Sequence, residues 1–156
     1  MPIDESRFRQ AMGYFASGVT VVTTASQGEL YGMTVSSFTS LSLQPPLVLI
    51  CVDKSVPTHD AIAAAGCYVV NVLEKRQEHL SRRFAVSGND KFKGIAWHSG
   101  QLGLPVLEGV LAVIECRLHN TLDGGDHTIY VGQVVDTEVL EGTPLLYYRR
   151  GYHELK

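Results

Sequence analysis

The sequence is poor in the features that mark several large classes of protein. Its three cysteines, Cys51, Cys67 and Cys116, form no C-x-x-C pair, which excludes a zinc ribbon and a thioredoxin-type redox site. Each lies inside an apolar run, so we expect small buried side chains there. The first residues are charged and predict no signal peptide, and no apolar run reaches the ~20 residues of a membrane helix. We therefore expect a cytoplasmic protein.

The motifs of common nucleotide-binding and hydrolytic sites are also absent. The chain has no G-x-G-x-x-G, Walker A loop, H-E-x-x-H or G-x-S-x-G motif. Its six histidines show no ligand spacing on a shared element, so no metal site is predicted. A net charge of −3 argues against a broad nucleic-acid surface. An anionic ligand would have to be captured by a few local donors.

What is present indicates one folded domain over residues 1–156. The composition, 45% hydrophobic and 19% charged, is typical of a globular protein. The chain has no internal repeat, linker or low-complexity tract. Periodicity predicts about seven strands and three short helices. The first helix is expected to start at a cap on Asp4 or Ser6 and to carry an apolar stripe over 8–15, and the other helices are expected at about 56–65 and 76–85. The strands are expected at 18–25, 30–41, 47–52, 67–73, 109–121, 127–140 and in the tail from 144.

Local signals set the ends of these elements. Gly18 is expected to end the first helix, Ser55 or Thr58 to cap the second, and Gly66 to lie beyond its end. Residues 86–108 read as an irregular loop, and loops of that length are more often functional than accidental. Because the helices are too few for alternating βαβ units, the pattern favours a mainly β fold, an antiparallel barrel with helices outside.

Three segments carry groups that could bind a ligand, and each also has a plain structural interpretation. The segment "GMTVSSFTSLS" from Gly32 is rich in hydroxyls, which could bind a heteroaromatic edge or a phosphate, or form a polar rim. The segment "DKSVPTHD" from Asp53 combines Lys54 with a helix N-terminus that suits a phosphate, or it only caps the helix. The segment "GGDH" forms a hairpin turn in which Asp126 could orient His127 beside an open site, or His127 is a surface residue.

Two pairs of basic residues could likewise bind a ligand or have only a structural role. Arg82 and Arg83 end a predicted helix, where cations interact favourably with the helix dipole. Lys91 and Lys93 flank Phe92 in the long loop, where they meet either a phosphate or solvent.

In this order, these segments resemble the short-chain flavin reductases, the reductase components of two-component flavin-dependent monooxygenases. The resemblance covers nearly the whole chain. It includes "FASGVTVVTT", "GMTVSSFTSLSLQPPLVLICVDKSVPTHDAI", "YVVNVL", "FA", "KF", "GDH", "VGQV" and "PLLYYRRGY". It implies an FMN-binding split β-barrel, Greek-key-like and usually a homodimer, that reduces FMN or FAD with NADH or NADPH and supplies reduced flavin to a monooxygenase.

The resemblance also implies roles for individual residues. His127 is the implied catalytic residue, flanking the flavin face where nicotinamide stacks, with Tyr152 beside it. The flavin would be bound by residues of two strands, one helix start and the end of the third helix: Met33, Thr34, Val35, Ser36, Ser37, Val52, Asp53, Lys54, Ser55, Thr58, Phe84, Ala85 and Lys91.

Three alternatives stay open at this point. One is a flavoredoxin-like electron carrier that holds FMN tightly, and another is a non-enzymatic flavin-binding module. The third is an enzyme like pyridoxamine-phosphate oxidase, against which the "GMTVSSFTSLS" and "GDH" segments argue. The sequence does not choose between FMN, FAD and riboflavin, between NADH and NADPH, or between partner oxygenases.

Overall fold

Runs of β-branched and apolar residues place about half of the chain in antiparallel strands, so the predicted mainly β fold is confirmed. The computed structural model describes residues 2–88 and 90–156. The helices are α1 (Glu5–Gly13), α2 (Pro57–Ala65) and α3 (Glu78–Ala85). The strands are β1 (Ser17–Gly18), β2 (Thr20–Ser26), β3 (Glu29–Val35), β4 (Phe38–Leu43), β5 (Pro46–Asp53), β6 (Cys67–Val72), β7 (Trp97–Ser99), β8 (Pro105–Leu107), β9 (Ala112–Gly124), β10 (His127–Val139), β11 (Leu145–Tyr148) and β12 (Gly151–Glu154).

A seven-stranded sheet in the order β3-β2-β6-β9-β10-β5-β4 forms the body of the protein. Its edge strands, β3 and β4, are consecutive in the chain and are separated by Ser36 and Ser37 alone. The two edges therefore meet at one end, while no ladder joins them along their length in the described residues. The sheet is thus curled into a barrel that is split along one side.

The sequence predicts one continuous strand over 30–41, and this prediction is wrong. The chain leaves the β3 ladder because Ser37 pairs with β5 instead. The Ser37 hydroxyl donates to the Cys51 carbonyl at 3.0 Å, and the Cys51 N–H donates to the Ser37 carbonyl at 3.2 Å. This change of partner creates the split.

The two faces of the sheet support two layers of core. One layer fills the barrel and includes Ile50, Val52, Tyr68 and Tyr130. Gly132 lies against this layer, where a Cβ atom would stand 2.5 Å from the Tyr68 hydroxyl oxygen, so a larger residue would displace that ring. The other layer packs β2 and β6 against α3, β8 and β11.

The β9–β10 hairpin confirms the turn predicted at "GGDH". Gly124 pairs with His127, so Gly125 and Asp126 make a two-residue turn. Gly125 has a φ of +80°, the left-handed conformation that such a turn favours at its first position. Because β10 also pairs with β5, His127 lies opposite Asp53.

Elsewhere the described residues contain twelve strands rather than about seven. The loop predicted over 86–108 contains a small hairpin, β7–β8, and the tail forms a second hairpin, β11–β12, that pairs with β1. These strands are two to four residues long, too short for alternation to reveal them in the sequence.

The helices depart from their predicted ends. Helix α1 ends at Gly13 rather than Gly18, and none of its residues is buried. Helix α2 has Val56 at its N-cap and no side-chain cap, so the predicted capping by Ser55 or Thr58 is wrong, although Gly66 ends the helix as predicted. Helix α3 starts two residues later than predicted. In the described part of the chain, no helix has the length and hydropathy to span a membrane.

Candidate active site

A large open cavity lies between β3, the start of α2, α3 with the loop after it, and the C-terminal hairpin. Its volume of about 1170 Å³ exceeds the roughly 300–1,000 Å³ that is typical of a pocket for one drug-sized ligand. The cavity is therefore large enough for a ligand of nucleotide size. Eight residues predicted from the sequence line this cavity: Met33, Thr34, Ser36, Thr58, Phe84, Ala85, Lys91 and Tyr152.

The other predicted residues lie outside the cavity lining. The side chains of Val35 and Val52 are buried in the barrel core, so a ligand could reach only their backbone. The hydroxyl of Ser37 is bonded to β5. The remaining four cluster where β5 and the β9–β10 hairpin end: Asp53, Lys54, Ser55 and His127.

This second cluster is held by its own hydrogen bonds. The Ser55 N–H and hydroxyl donate to Asp53 at 2.8 and 2.7 Å, and these bonds lower the pKa of Asp53. The Lys54 ammonium pairs with Asp123, whose pKa falls for that reason. A phosphate at Lys54 would therefore have to compete with a carboxylate already in place.

His127 has the orientation that the sequence suggests. Its Nδ1 lies 2.8 Å from the Asp126 carboxylate, and its ring is half-buried. The contact fixes one ring nitrogen and directs Nε2 the other way. Val56, Pro57 and Thr58 line the cavity and follow the Asp53–Ser55 turn, so the chain itself links the two clusters.

Ser81 connects three walls of the cavity, and nothing in the sequence pattern marks it. Its hydroxyl lies 2.7 Å from the Tyr152 hydroxyl, and its carbonyl accepts from the Thr34 hydroxyl at 2.6 Å. Ser81 is fully buried, while Thr34 and Tyr152 are half-buried, so these bonds lie at the cavity wall. Helix α3 thereby sets the positions of one predicted flavin contact and one predicted nicotinamide contact.

Lys91 projects from the loop after α3 onto the cavity wall. Its ammonium donates to the Gly32 carbonyl at 3.2 Å and the Phe84 carbonyl at 3.4 Å. An ammonium has three N–H donors, so a third can serve a ligand. Burial lowers the pKa of Lys91.

Aromatic rings complete the apolar part of the wall. The Phe84 and Phe92 rings pack edge to face with centroids 5.1 Å apart. At Gly32 a Cβ atom would come within 2.7 Å of the Phe84 ring, so the glycine lets that ring pack directly on β3. Flat apolar walls with a few hydroxyls and a cation suit a flavin and its phosphate. Sequence reasoning missed Phe92 as a site residue, although the "KF" segment contains it.

The described residues contain no group of three or more His, Cys, Asp or Glu side chains placed to hold a metal ion. The cysteine side chains are also poorly placed to react as thiolates. Burial raises the pKa of the Cys116 thiol to about 12, as expected for a core cysteine, while Cys51 and Cys67 are only half-buried.

The fold and the cavity together define a split-barrel protein with an open ligand site, and comparison with known proteins identifies its family. The profile of the flavin reductase like domain matches residues 12–156. The reductase component of 4-nitrophenol 4-monooxygenase/4-nitrocatechol 2-monooxygenase from Rhodococcus opacus is 45% identical over 148 residues, covering 95% of this chain and 80% of that protein. The reductase component of 4-hydroxyphenylacetate 3-monooxygenase from Thermus thermophilus is 44% identical over 149 residues, covering 95% of both.

A solved structure supports the same family. The NADH:FAD oxidoreductase SgcE6 of Streptomyces globisporus, in complex with NAD and FAD fragments, matches with a TM-score of 0.94 and 39% identity, covering 98% of this chain and 93% of that one. This chain belongs to the flavin reductase-like family. The family and the enzyme class predicted from the sequence are thereby confirmed.

Proposed function

We propose that this chain oxidises NADH, reduces FAD, and releases the reduced flavin to a separate monooxygenase component. The observation that carries the proposal is the cavity, in which the predicted flavin residues of β3 and α3 and the predicted nicotinamide residue Tyr152 line one space. The complex of SgcE6 with NAD and FAD fragments supports this particular pair of nucleotides. A cytoplasmic location is part of the same proposal.

When bound, the flavin supplies the hydride-accepting ring and NADH supplies the hydride. The residues of the chain hold the flavin and the nicotinamide, orient them and polarise them. Phe84 and Met33 offer an apolar wall to flat rings, and Lys91 offers a cation to a phosphate. His127, oriented by Asp126, would flank the nicotinamide as the catalytic residue. No paired carboxylates or nucleophile are required.

A homodimer also belongs to the proposal. Large apolar side chains are exposed just after α1, where Phe15 is 77% exposed, and on the edge strand β4, where Leu43 is 91% exposed. Solvent-exposed apolar edges of this kind are generally covered. A second copy of the chain is the proposed cover, and the monooxygenase is proposed to bind transiently.

The test is oxidation of NADH and NADPH by purified protein, followed by nicotinamide absorbance, with FAD, FMN, riboflavin or no flavin added. We expect turnover that depends on added flavin and is fastest with NADH and FAD. Flavin binding without oxidation of either nucleotide would replace the proposal with an electron carrier or a binding module. Copurified flavin that turns over without any addition would indicate a tightly bound cofactor instead.

A variant sharpens the same experiment. His127→Ala should lower kcat or raise the KM for NADH about tenfold, the effect expected for the loss of one hydrogen bond. His119→Ala, which removes an exposed histidine from the hairpin strand β9, is the matched control and should leave both constants unchanged. Equal kinetics for the two variants would remove His127 from the site.

A further inference from the structure

Arg83 makes contacts that its place near a helix end does not require. It lies on α3 with an exposed side chain, where its positive charge alone would favour the helix dipole. Its guanidinium instead reaches the loop after the helix. Nε donates to the Lys91 carbonyl at 2.9 Å, and Nη2 donates to the carbonyls of Asp90 and Lys93 at 3.2 and 2.6 Å.

The loop backbone is shaped for this contact. Asp90 has a φ of +61° and Gly94 a φ of +77°, both in the left-handed region. Between them the Lys93 N–H donates to the Asp90 carbonyl at 3.1 Å, and the Ile95 N–H donates to the Phe92 carbonyl at 3.0 Å. These turns bring three carbonyl oxygens of the loop onto one guanidinium, whose planar fork can satisfy several acceptors at once.

The side chains of the same loop form part of the cavity. Lys91, Phe92 and Lys93 all line it, and Lys91 reaches across to β3. Arg83 therefore holds the backbone from outside while these three side chains reach the ligand space. The neighbouring Arg82 does something different, because it pairs with Glu78 and stands over the Tyr152 ring, 5.0 Å from its centroid.

We propose that Arg83 is a positioning residue that clamps the 90–95 loop and thereby sets the cavity's affinity for flavin. The inference rests on the proposed flavin site, but the clamp itself is a property of the free protein. If Arg83 served only the helix dipole, any cation at this position would suffice. If it is a clamp, lysine fails, because a single ammonium lacks the planar fork that holds the three carbonyls.

The first measurement is hydrogen exchange of the Lys93 and Ile95 amides in flavin-free protein. Arg83→Ala and Arg83→Lys should both accelerate exchange by about tenfold or more, on the order of one lost charge-assisted hydrogen bond. Lys75→Ala, which removes an exposed positive charge just before α3, should leave exchange unchanged. Wild-type exchange in Arg83→Lys would overturn the clamp in favour of a charge effect.

The second measurement is flavin affinity by fluorescence, together with kcat at saturating flavin. Both Arg83 variants should weaken the flavin Kd about tenfold while kcat changes less than about twofold, because the clamp acts on binding rather than on hydride transfer. A released loop with unchanged Kd would overturn the link to the site. Failure of the wild-type protein to bind flavin would instead contradict the proposed function and leave the exchange result standing.

Discussion

The surroundings of Lys91 make its charged form less stable until a ligand phosphate binds. Burial lowers its pKa below the ordinary lysine value of 10.5, because the charged form loses hydration. A bound phosphate favours the charged form and raises the pKa again. Between these two pKa values, flavin binding must therefore take up a proton. Affinity is highest when Lys91 is already protonated and falls as the pH rises through the pKa of the free protein.

We predict that the Kd for FAD and FMN increases as the pH rises through the lowered pKa of Lys91, at up to about tenfold per pH unit in that window. Lys91→Gln should weaken binding at neutral pH and remove this dependence. Riboflavin has no phosphate, so its affinity should stay flat over the same range. Fluorescence titration at a series of pH values measures all three. A riboflavin curve that follows the FAD curve would place the phosphate elsewhere.

At the scale of elements, helix α3 joins the parts of the site. Through Ser81 it holds strand β3 and the C-terminal hairpin, and the hairpin also pairs with β1 near the start of the barrel. Tyr152 therefore depends on a contact with a residue 71 positions earlier in the chain. Without this contact, the ring would still be placed by the two short hairpin strands, by its packing on Tyr147 and by the Arg82 guanidinium that stands over it.

We predict that Ser81→Ala and Tyr152→Phe are coupled. The double variant should lose less stability than the sum of the single variants, with a coupling energy of about 1 kcal/mol, typical of one intramolecular hydrogen bond. Both single variants should raise the KM for NADH more than that for flavin. Denaturant unfolding and steady-state kinetics measure the two effects. Tyr148→Phe, on the adjacent strand β11, is the control, and strict additivity of the first pair would contradict the coupling.

The elements also show how far the sequence could be read. The β9–β10 hairpin follows from clean alternation and a glycine turn, and Leu80 and Phe84 are buried on one face of α3 as their spacing predicts. The short strands β7 and β8 form because they pair with each other and because β8 packs on β2 and β6, which no local pattern records. Ser81 reads as an ordinary helix residue until the tail folds onto it.

The candidate site, too, could be predicted from the sequence only in part. The resemblance supplied the residues that line the cavity, such as Thr34 and Lys91, because the motif text contains them. Their local chemistry could not be foreseen, since the Lys54 ion pair and the Arg83 contacts depend on loops that meet only in the folded chain. Arginines at a helix end predict a favourable interaction with the helix dipole. A guanidinium that faces three carbonyls instead holds a loop in place.

At the scale of the whole molecule, we expect the exposed apolar surface to be covered by a partner. Phe8 and Met12 on α1 and Phe15 just after it are large apolar residues, and each is more than half exposed. Leu41 and Leu43 project from β4, an edge strand with free backbone groups. Burying such side chains between two copies would contribute roughly 1.5–3 kcal/mol for each large residue that becomes fully covered.

We predict that the protein in solution has twice the 17.1 kDa mass of one chain. Leu43→Glu should shift it towards monomer, because a carboxylate would be buried without a partner at the interface. Phe15→Glu, in the segment just after α1, should do the same, whereas Leu155→Glu in the exposed tail should not. Light scattering after size-exclusion chromatography measures the mass, and flavin titration of each variant shows whether the site needs the second copy. A wild-type mass of one chain would mean that these side chains face solvent or a different protein.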